Sequence, residues 1–272
     1  MNFLPRNLFV TAVLLLFLRP VWAVPEIFNP GTRSAAMGGT YAASSGAEGL
    51  FLNQAALAFE SHSSLLLNYE SRFLLREYSF MSAGMVIPVR DICIGAGYRQ
   101  FGTGFFRQMQ SGLAAAKRFG RRLSAGINFN YLNVRIPEDP DNHRSANFEA
   151  GMIWQHAENL SLGIHYVHPF PPDERSGTVN SSRLVAGESW QINELLNWSC
   201  DLEWQNGREW RLRSGLEYRP VRSLFLRVGI RGLPFQPSGG MGFRFRKYSF
   251  DLAFSYHGNL GFSPAAGLVF RL

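Results

Sequence analysis

From Ser64 onward the chain alternates apolar and polar side chains in one short run after another. In the stretch 196–205, Leu196, Trp198, Cys200, Leu202 and Trp204 are apolar, and Asn197, Ser199, Asp201, Glu203 and Gln205 between them are polar. Successive residues of a strand point to opposite faces, so such a run has one greasy face and one wet face. Trp and Leu crowd the greasy face too densely for a surface left in water. That face must meet either a second sheet or lipid, and the choice decides what the chain is.

Fourteen runs of this kind can be delimited, from 64–73 and 78–89 through 111–119 and 239–246 to 248–257 and 261–272. Their connections alternate in length. Those at 88–91, 120–122, 158–159, 193–195, 220–223 and 247 are tight, whereas 102–110, 137–145, 169–181 and 232–238 are longer. An even strand number with short turns at one end is the pattern of an outer-membrane barrel, whose short turns face the periplasm. Three connections on the long side, 74–77, 206–208 and 258–260, are short, and a β-sandwich or propeller is the competing architecture. The aromatics favour the barrel. Tyr131, Trp154, Tyr166, Trp190, Trp198, Tyr218, Tyr248 and Tyr256 fall near strand ends, where interfacial girdles form. The expected fold is all-β: a 14-stranded antiparallel transmembrane β-barrel over 61–272, with a small N-terminal plug segment over 24–60.

The N-terminus fits export. Arg6 precedes an apolar run over 8–18, and Val21-Trp22-Ala23 offers small residues for cleavage, so 1–23 reads as a signal peptide. Arg19 and Pro20 leave that run short for a spanning helix, which is what a retained anchor would require. A mean hydropathy of −0.08 excludes a helical membrane bundle but not a barrel, where only alternate residues face lipid. The expected location is the bacterial outer membrane, with its lipid as a partner.

The net charge is +7 and almost every cation is arginine, the lysines being Lys117 and Lys247 alone. Basicity of this kind can mark a nucleic-acid binder, but the export signal and the lack of a basic helix argue against it. Cys93 and Cys200 lie in different strands, too few for a disulfide scaffold, and no cofactor is implied.

The wet face of the late strands is heavily charged. A hairpin around 206–208 sets Glu203 across from Arg211 and Asp201 across from Arg213, and the next strands add Glu217, Arg227, Arg231, Arg244, Arg246 and Asp251. This lumen cluster is expected to brace the wall or clamp a plug; a filter for anions is the sharper alternative. Segment 31–59 is rich in Gly, Ala and Ser but carries Met37, Tyr41, Leu50, Phe51 and Leu57, too apolar to stay in water. A braced plug would bury Met37, Phe51 and Leu57 and hold Arg33 near a carboxylate.

Two motifs in that segment carry a resemblance. Arg33-Ser34-Ala35-Ala36-Met37-Gly38-Gly39, followed by Asn53-Gln54-Ala55-Ala56-Leu57-Ala58, resembles the N-terminal signature of the FadL-like outer-membrane superfamily, and most closely its PorV/PorQ branch. The resemblance implies a fourteen-stranded barrel with an N-terminal plug. Gln54 departs from the usual proline, Ala56 from a common glycine, and Leu272 from a terminal aromatic, although Phe262, Leu268 and Phe270 keep the alternation. The chain is also short for a FadL-type fatty-acid transporter with long outer loops, which favours the PorV/PorQ side.

Motifs for enzymatic chemistry are missing: no HExxH, phosphate-binding loop, CxxC pair or GxSxG occurs. His165 and His168, three apart in a strand, project to opposite faces. His257 with Ser255 lacks an orienting third group. The resemblance to PorV/PorQ proteins makes a non-enzymatic docking component of type IX-like secretion the leading reading. Its partner would be a secretion-system protein or exported cargo, with Phe105, Phe106 and Phe170 on the outer loops as contact candidates. The alternative is a FadL-like channel for small hydrophobic molecules, which needs an apolar path past the plug and a gap in the wall; a lipid-acting enzyme is the third class.

Overall fold

The alternation becomes a wall with two chemistries. A computed structural model describes residues 31–104, 106–135, 143–169, 182–205, 210–232 and 235–272. Fourteen strands follow in order: β1 (Ser64–Ser71), β2 (Ser79–Val89), β3 (Ile92–Phe101), β4 (Arg107–Phe119), β5 (Leu123–Arg135), β6 (His143–Ala157), β7 (Leu160–Pro169), β8 (Arg183–Gln191), β9 (Leu196–Gln205), β10 (Arg211–Val221), β11 (Leu224–Arg231), β12 (Gln236–Phe245), β13 (Tyr248–His257) and β14 (Gly261–Arg271). Each pairs antiparallel with its sequence neighbours, and β1 pairs with β14 to close the barrel.

Strand β1 shows the division of faces. Leu65, Leu67 and Tyr69 point outward and are exposed, while Leu66, Asn68 and Glu70 point inward and are buried. Ile94, Leu113, Ile127, Phe129, Ile164, Val228 and Phe254 extend the exposed apolar surface around the barrel. An apolar band of that extent is stable only against lipid. No helix among the described residues is long and apolar enough to cross a membrane; the strands do the crossing.

Several strands outrun their expected ends. Strand β4 starts at Arg107 rather than 111, because Gln108, Met109 and Gln110 find ladder partners in Phe101, Gln100 and Arg99. Strand β12 starts at Gln236 for the same reason, opposite Arg231. Pairing the backbone outweighs the local turn preference of Pro237, whereas Gly102, at φ 78°, stays outside β3 and keeps the turn. The register shifts at two places, between Gln155 and Ala157 in β6–β7 and between Tyr218 and Val221 in β10–β11, both beside short turns. The ladder of β2 and β3 runs unbroken from Phe80–Phe101 to Val89–Ile92.

Segment 31–59 lies inside the barrel. It forms a short helix α1 (Thr32–Ala36) and two 3-10 turns, Ala47–Phe51 and Gln54–Phe59. Gly38 and Gly39, at φ 69° and 83°, turn the chain back after α1 in the left-handed region that glycine favours. Met37, Tyr41, Leu50, Phe51 and Leu57 are all buried. The wall admits them through inward-facing glycines that pair across strands: Gly84 with Gly97, Gly126 with Gly151, Gly163 with Gly187, and Gly215 with Gly229. A side chain at Gly229 would overlap the Met37–Gly38 backbone, and one at Gly126 would overlap Gln54 and Ala55. Backbone therefore lies on backbone.

Gly229→Ala should accordingly lower stability by about 1–3 kcal/mol, the usual cost of overpacking. Gly258→Ala, at a turn with nothing within 4 Å, should leave it unchanged. Urea unfolding followed by tryptophan fluorescence reads both; equal midpoints would mean that the inner segment does not press on the wall.

Candidate functional site

The lumen holds three kinds of contact, each traceable to the alternation of the strands that face it. On β10–β13 the contacts are ionic. Glu217 accepts from Arg33 Nε and Nη2 at 3.0 and 3.1 Å and from Arg227 Nε at 2.7 Å, and Arg227 Nη1 donates to Asp251 at 2.5 Å. Strand register sets Glu203 opposite Arg211 and Asp201 opposite Arg213. The ion pairs do not simply follow it. Arg213, fully buried, donates diagonally to Glu203 at 2.5 Å and to the Gly39 carbonyl at 3.1 Å, and Arg211 lies 3.7 Å from Glu203. Asp201 also accepts the backbone N–H groups of Tyr41 and Ala42 at 2.6 and 3.0 Å. Those donors belong to irregular backbone and would otherwise be buried unpaired.

On β5–β7 the contacts converge on the Glu149 carboxylate, and most of its donors are uncharged. It accepts from Gln54 Nε2 at 2.6 Å and Asn130 Nδ2 at 2.8 Å, with Arg99 at 3.5 Å. His165 bridges wall and inner segment. Its Nε2–H tautomer donates to Glu149 at 3.2 Å and leaves Nδ1 to accept the Tyr41 hydroxyl at 3.1 Å. Asn53 caps the second 3-10 turn by accepting from Ala55 N–H, and its amide donates to the carbonyls of Ala42, Met152 and Ile164.

On β1–β4 the contacts are apolar. Leu50, Phe51 and Leu57 pack on Leu66, Val86, Cys93, Ala114 and Ala116. Gly84, Gly95 and Gly97 make room for Leu50 and Phe51. Arg99 lies over the Phe51 ring at 5.5 Å and donates to the Phe51 carbonyl at 3.1 Å. The inner face is therefore not uniformly polar, as its wet-face reading in sequence had it. Where Leu50, Phe51 and Leu57 meet it, the wall turns apolar.

The motif residues Arg33, Met37, Gly38, Gly39, Asn53, Ala55 and Leu57 all touch the inner wall or the segment's own fold, and Gly38 N–H donates to Ser238 Oγ at 2.9 Å. Of the charge cluster, Asp201, Glu203, Arg211, Arg213, Glu217 and Arg227 come together. Arg231 sits at the loop end of β11 opposite Arg213, and Arg244 is exposed at the short-turn mouth, over the Phe225 ring. Arg246 leaves the cluster altogether: it occupies the turn after β12 at φ 50°, exposed, because the strand ends before reaching it. Of the loop candidates, Phe105 and Phe170 lie outside the described residues, as does the signal segment 1–23. Phe106 folds back edge-to-face on Phe101 at 6.1 Å.

Sequence reasoning overlooked Glu149 and assigned no contact to Gln54 or His165. Gln54 stood out only as a departure from proline. In the structure its amide supplies a bond to Glu149 that proline lacks. Glu48 faces the inner segment beside Gly31, and burial together with the nearby charge of Asp251 pushes its carboxyl up to about 7.

No family model and no curated protein matches the chain. Solved structures do. The CymD monoaromatic hydrocarbon channel superposes with a TM-score of 0.68 at 15% identity, covering 89% of this chain and 97% of that one. The toluene transporter TodX of Pseudomonas putida gives 0.66 at 13% identity, over 90% and 97%. A FadL homologue of Pseudomonas aeruginosa gives 0.62 at 12% identity, over 89% and 96%. The barrel is FadL-like in fold.

Two outcomes test the bracing. Arg33→Ala removes one of the two guanidiniums on Glu217 and leaves Arg227 in place, so it should cost about 1.5–3 kcal/mol of unfolding free energy, the usual worth of a charged hydrogen bond. Glu48, held above its ordinary 4.5, binds more protons folded than unfolded, so its contribution to stability falls as pH rises from about 4.5 to about 7. Glu48→Gln should remove that part of the pH dependence; parallel stability curves for the two proteins across this window would rule it out.

Proposed function

We propose that the chain is a non-enzymatic outer-membrane channel admitting small hydrophobic molecules. One observation carries the reading: the fold matches two hydrocarbon channels over nearly their whole length. The apolar sector supports it. Leu50, Phe51 and Leu57 against β1–β4 form the largest of several apolar seams between inner segment and wall, with Arg99 across Phe51 at one side. A hydrophobe would travel along this seam, parallel to the barrel axis. The unbroken β2–β3 ladder offers no side exit there. The charged residues of β9–β13 clamp the inner segment in this reading and do not select ions, since Arg213, Arg227 and Arg33 already face carboxylates.

The docking role implied by the PorV/PorQ likeness gains no support from these neighbours. Its proposed contact Phe106 packs onto Phe101.

Cells displaying the chain should take up radiolabelled toluene several-fold faster than cells with an empty vector. Phe51→Ala should widen the seam and raise that rate further, while costing about 3–5 kcal/mol of stability. Uptake at the vector level, with folded barrel present in the outer membrane, would sink the channel reading. Recovery of a large secretion channel in a mild-detergent pull-down would restore docking.

A further inference from the structure

The excess of positive charge plays no part in the lumen, and much of it sits at the short-turn rim. Lys117 and Arg118 at the end of β4 and Arg121 and Arg122 in the turn to β5 are all exposed, and Arg90 sits in the neighbouring β2–β3 turn. The two turns are adjacent because Ile92 pairs with Lys117. Asp91 is the sole carboxylate in either turn, and none of the five cations forms an ion pair with a described carboxylate. Arg118 is the anchored member: it lies over the Phe59 ring at 4.9 Å and donates to the Arg121 carbonyl at 3.0 Å. The other four point away from the barrel interior or occupy the turns.

Height along the wall identifies what they meet. Val89, Ile92 and Phe119 are exposed on the outer face at this end. Phe119 pairs with Leu123, and Leu123 pairs with Trp154, whose indole is also exposed, so a line of apolar and aromatic side chains crosses three strands at one level. Such a line marks the hydrocarbon boundary. Lys117 is exposed on the same outer face as Phe119, two residues before it on β4, a position from which a lysine stem can follow apolar surface and deliver its ammonium to the headgroups. The cations therefore sit at the depth of lipid headgroups rather than out in solvent. Among the other short turns, Glu158-Asn159 and Asn193-Glu194 carry no cation, whereas Arg222 and Arg246-Lys247 extend the basic rim on β10–β13 without clustering as tightly.

We infer that the rim formed by Arg90, Lys117, Arg121 and Arg122 binds the phosphates of anionic phospholipids in the leaflet on the short-turn side. Clustered basic residues next to a membrane boundary are each attracted to an anionic lipid surface, and the attraction sums over the cluster. Lipid headgroups are favoured over an acidic protein by continuity with the lipid-facing wall. The inference rests on the membrane reading of the fold and not on what passes through the lumen.

The test uses the full chain in nanodiscs of phosphatidylcholine mixed with phosphatidylglycerol, with retained lipid weighed by native mass spectrometry. The unaltered protein should retain phosphatidylglycerol over phosphatidylcholine by about tenfold or more, and the preference should fade with added salt. The triple variant Lys117→Gln/Arg121→Gln/Arg122→Gln, which spares the anchored Arg118, should lose most of it while keeping the heat-modifiable gel mobility of a folded barrel. Equal retention of the two lipids, or an undiminished preference in the folded variant, would overturn the proposal. Capture of poly-glutamate without lipid discrimination would likewise overturn it and give the rim to an acidic protein. Failure to insert into either lipid would strike the membrane reading instead.

Discussion

Hydrocarbon offers no partner for a backbone N–H or C=O, and every other feature of this chain follows from that. The strands satisfy one another in sequence, and the last gap closes when β14 pairs with β1 from Arg271–Ser64 to Ala265–Glu70. Closure fixes the direction of every side chain, because one residue of slippage would carry the whole apolar set of a strand into the lumen. It also creates an interior that has to be filled. Water could fill it, but the segment ahead of β1 does so instead, and the inner face is composed to receive it.

That reception uses a different chemistry on each side of the barrel. Carboxylates and guanidiniums on β9–β13 hold α1 and the turn after it, Glu149 and His165 hold the middle, and apolar residues of β1–β4 take the 3-10 turns. The backbone of the inner segment has no ladder of its own, so wall side chains satisfy its donors: Asp201 for Tyr41 and Ala42, Ser238 for Gly38. The arrangement resembles the interior of a soluble protein folded inside a membrane wall.

Much of this is legible in the amino-acid alternation alone. Period two sets the strand number, the closing strand and the face of nearly every residue, because lipid on one side and a filled lumen on the other leave no ambiguity of phase. The register of β9 on β10 follows from two hydrophobic runs and a Gly-containing turn. Pairing within the lumen does not. Opposed positions set Asp201 against Arg213, and each also takes partners that the register does not show: Asp201 the backbone of Tyr41 and Ala42, Arg213 the Glu203 carboxylate and the Gly39 carbonyl. Gln54, Glu149 and His165 escape a sequence reading because a three-body contact between distant segments leaves no periodic trace. The paired glycines do leave one, at mid-strand on inward positions such as Gly126, Gly151, Gly215 and Gly229, but an absent side chain is easily taken for a weak strand.

Those glycines set the terms on which the lumen could ever open. The inner segment is not a stopper resting in a smooth bore; it is cut like a key, with Ala42, Met37, Gln54 and Leu50 each sitting in a ward of the wall at Gly163, Gly215, Gly126 and Gly84. Sliding along the axis would drive every tooth at once into a neighbouring side chain. Withdrawal in one stroke is thus barred by shape, whatever the strength of the ion pairs. Opening has to proceed by teeth, with part of the segment lifting while the rest stays seated. The stretch around Ser45 and Gly46, where Ser45 is exposed and Gly46 turns at φ 127°, is the natural hinge between them.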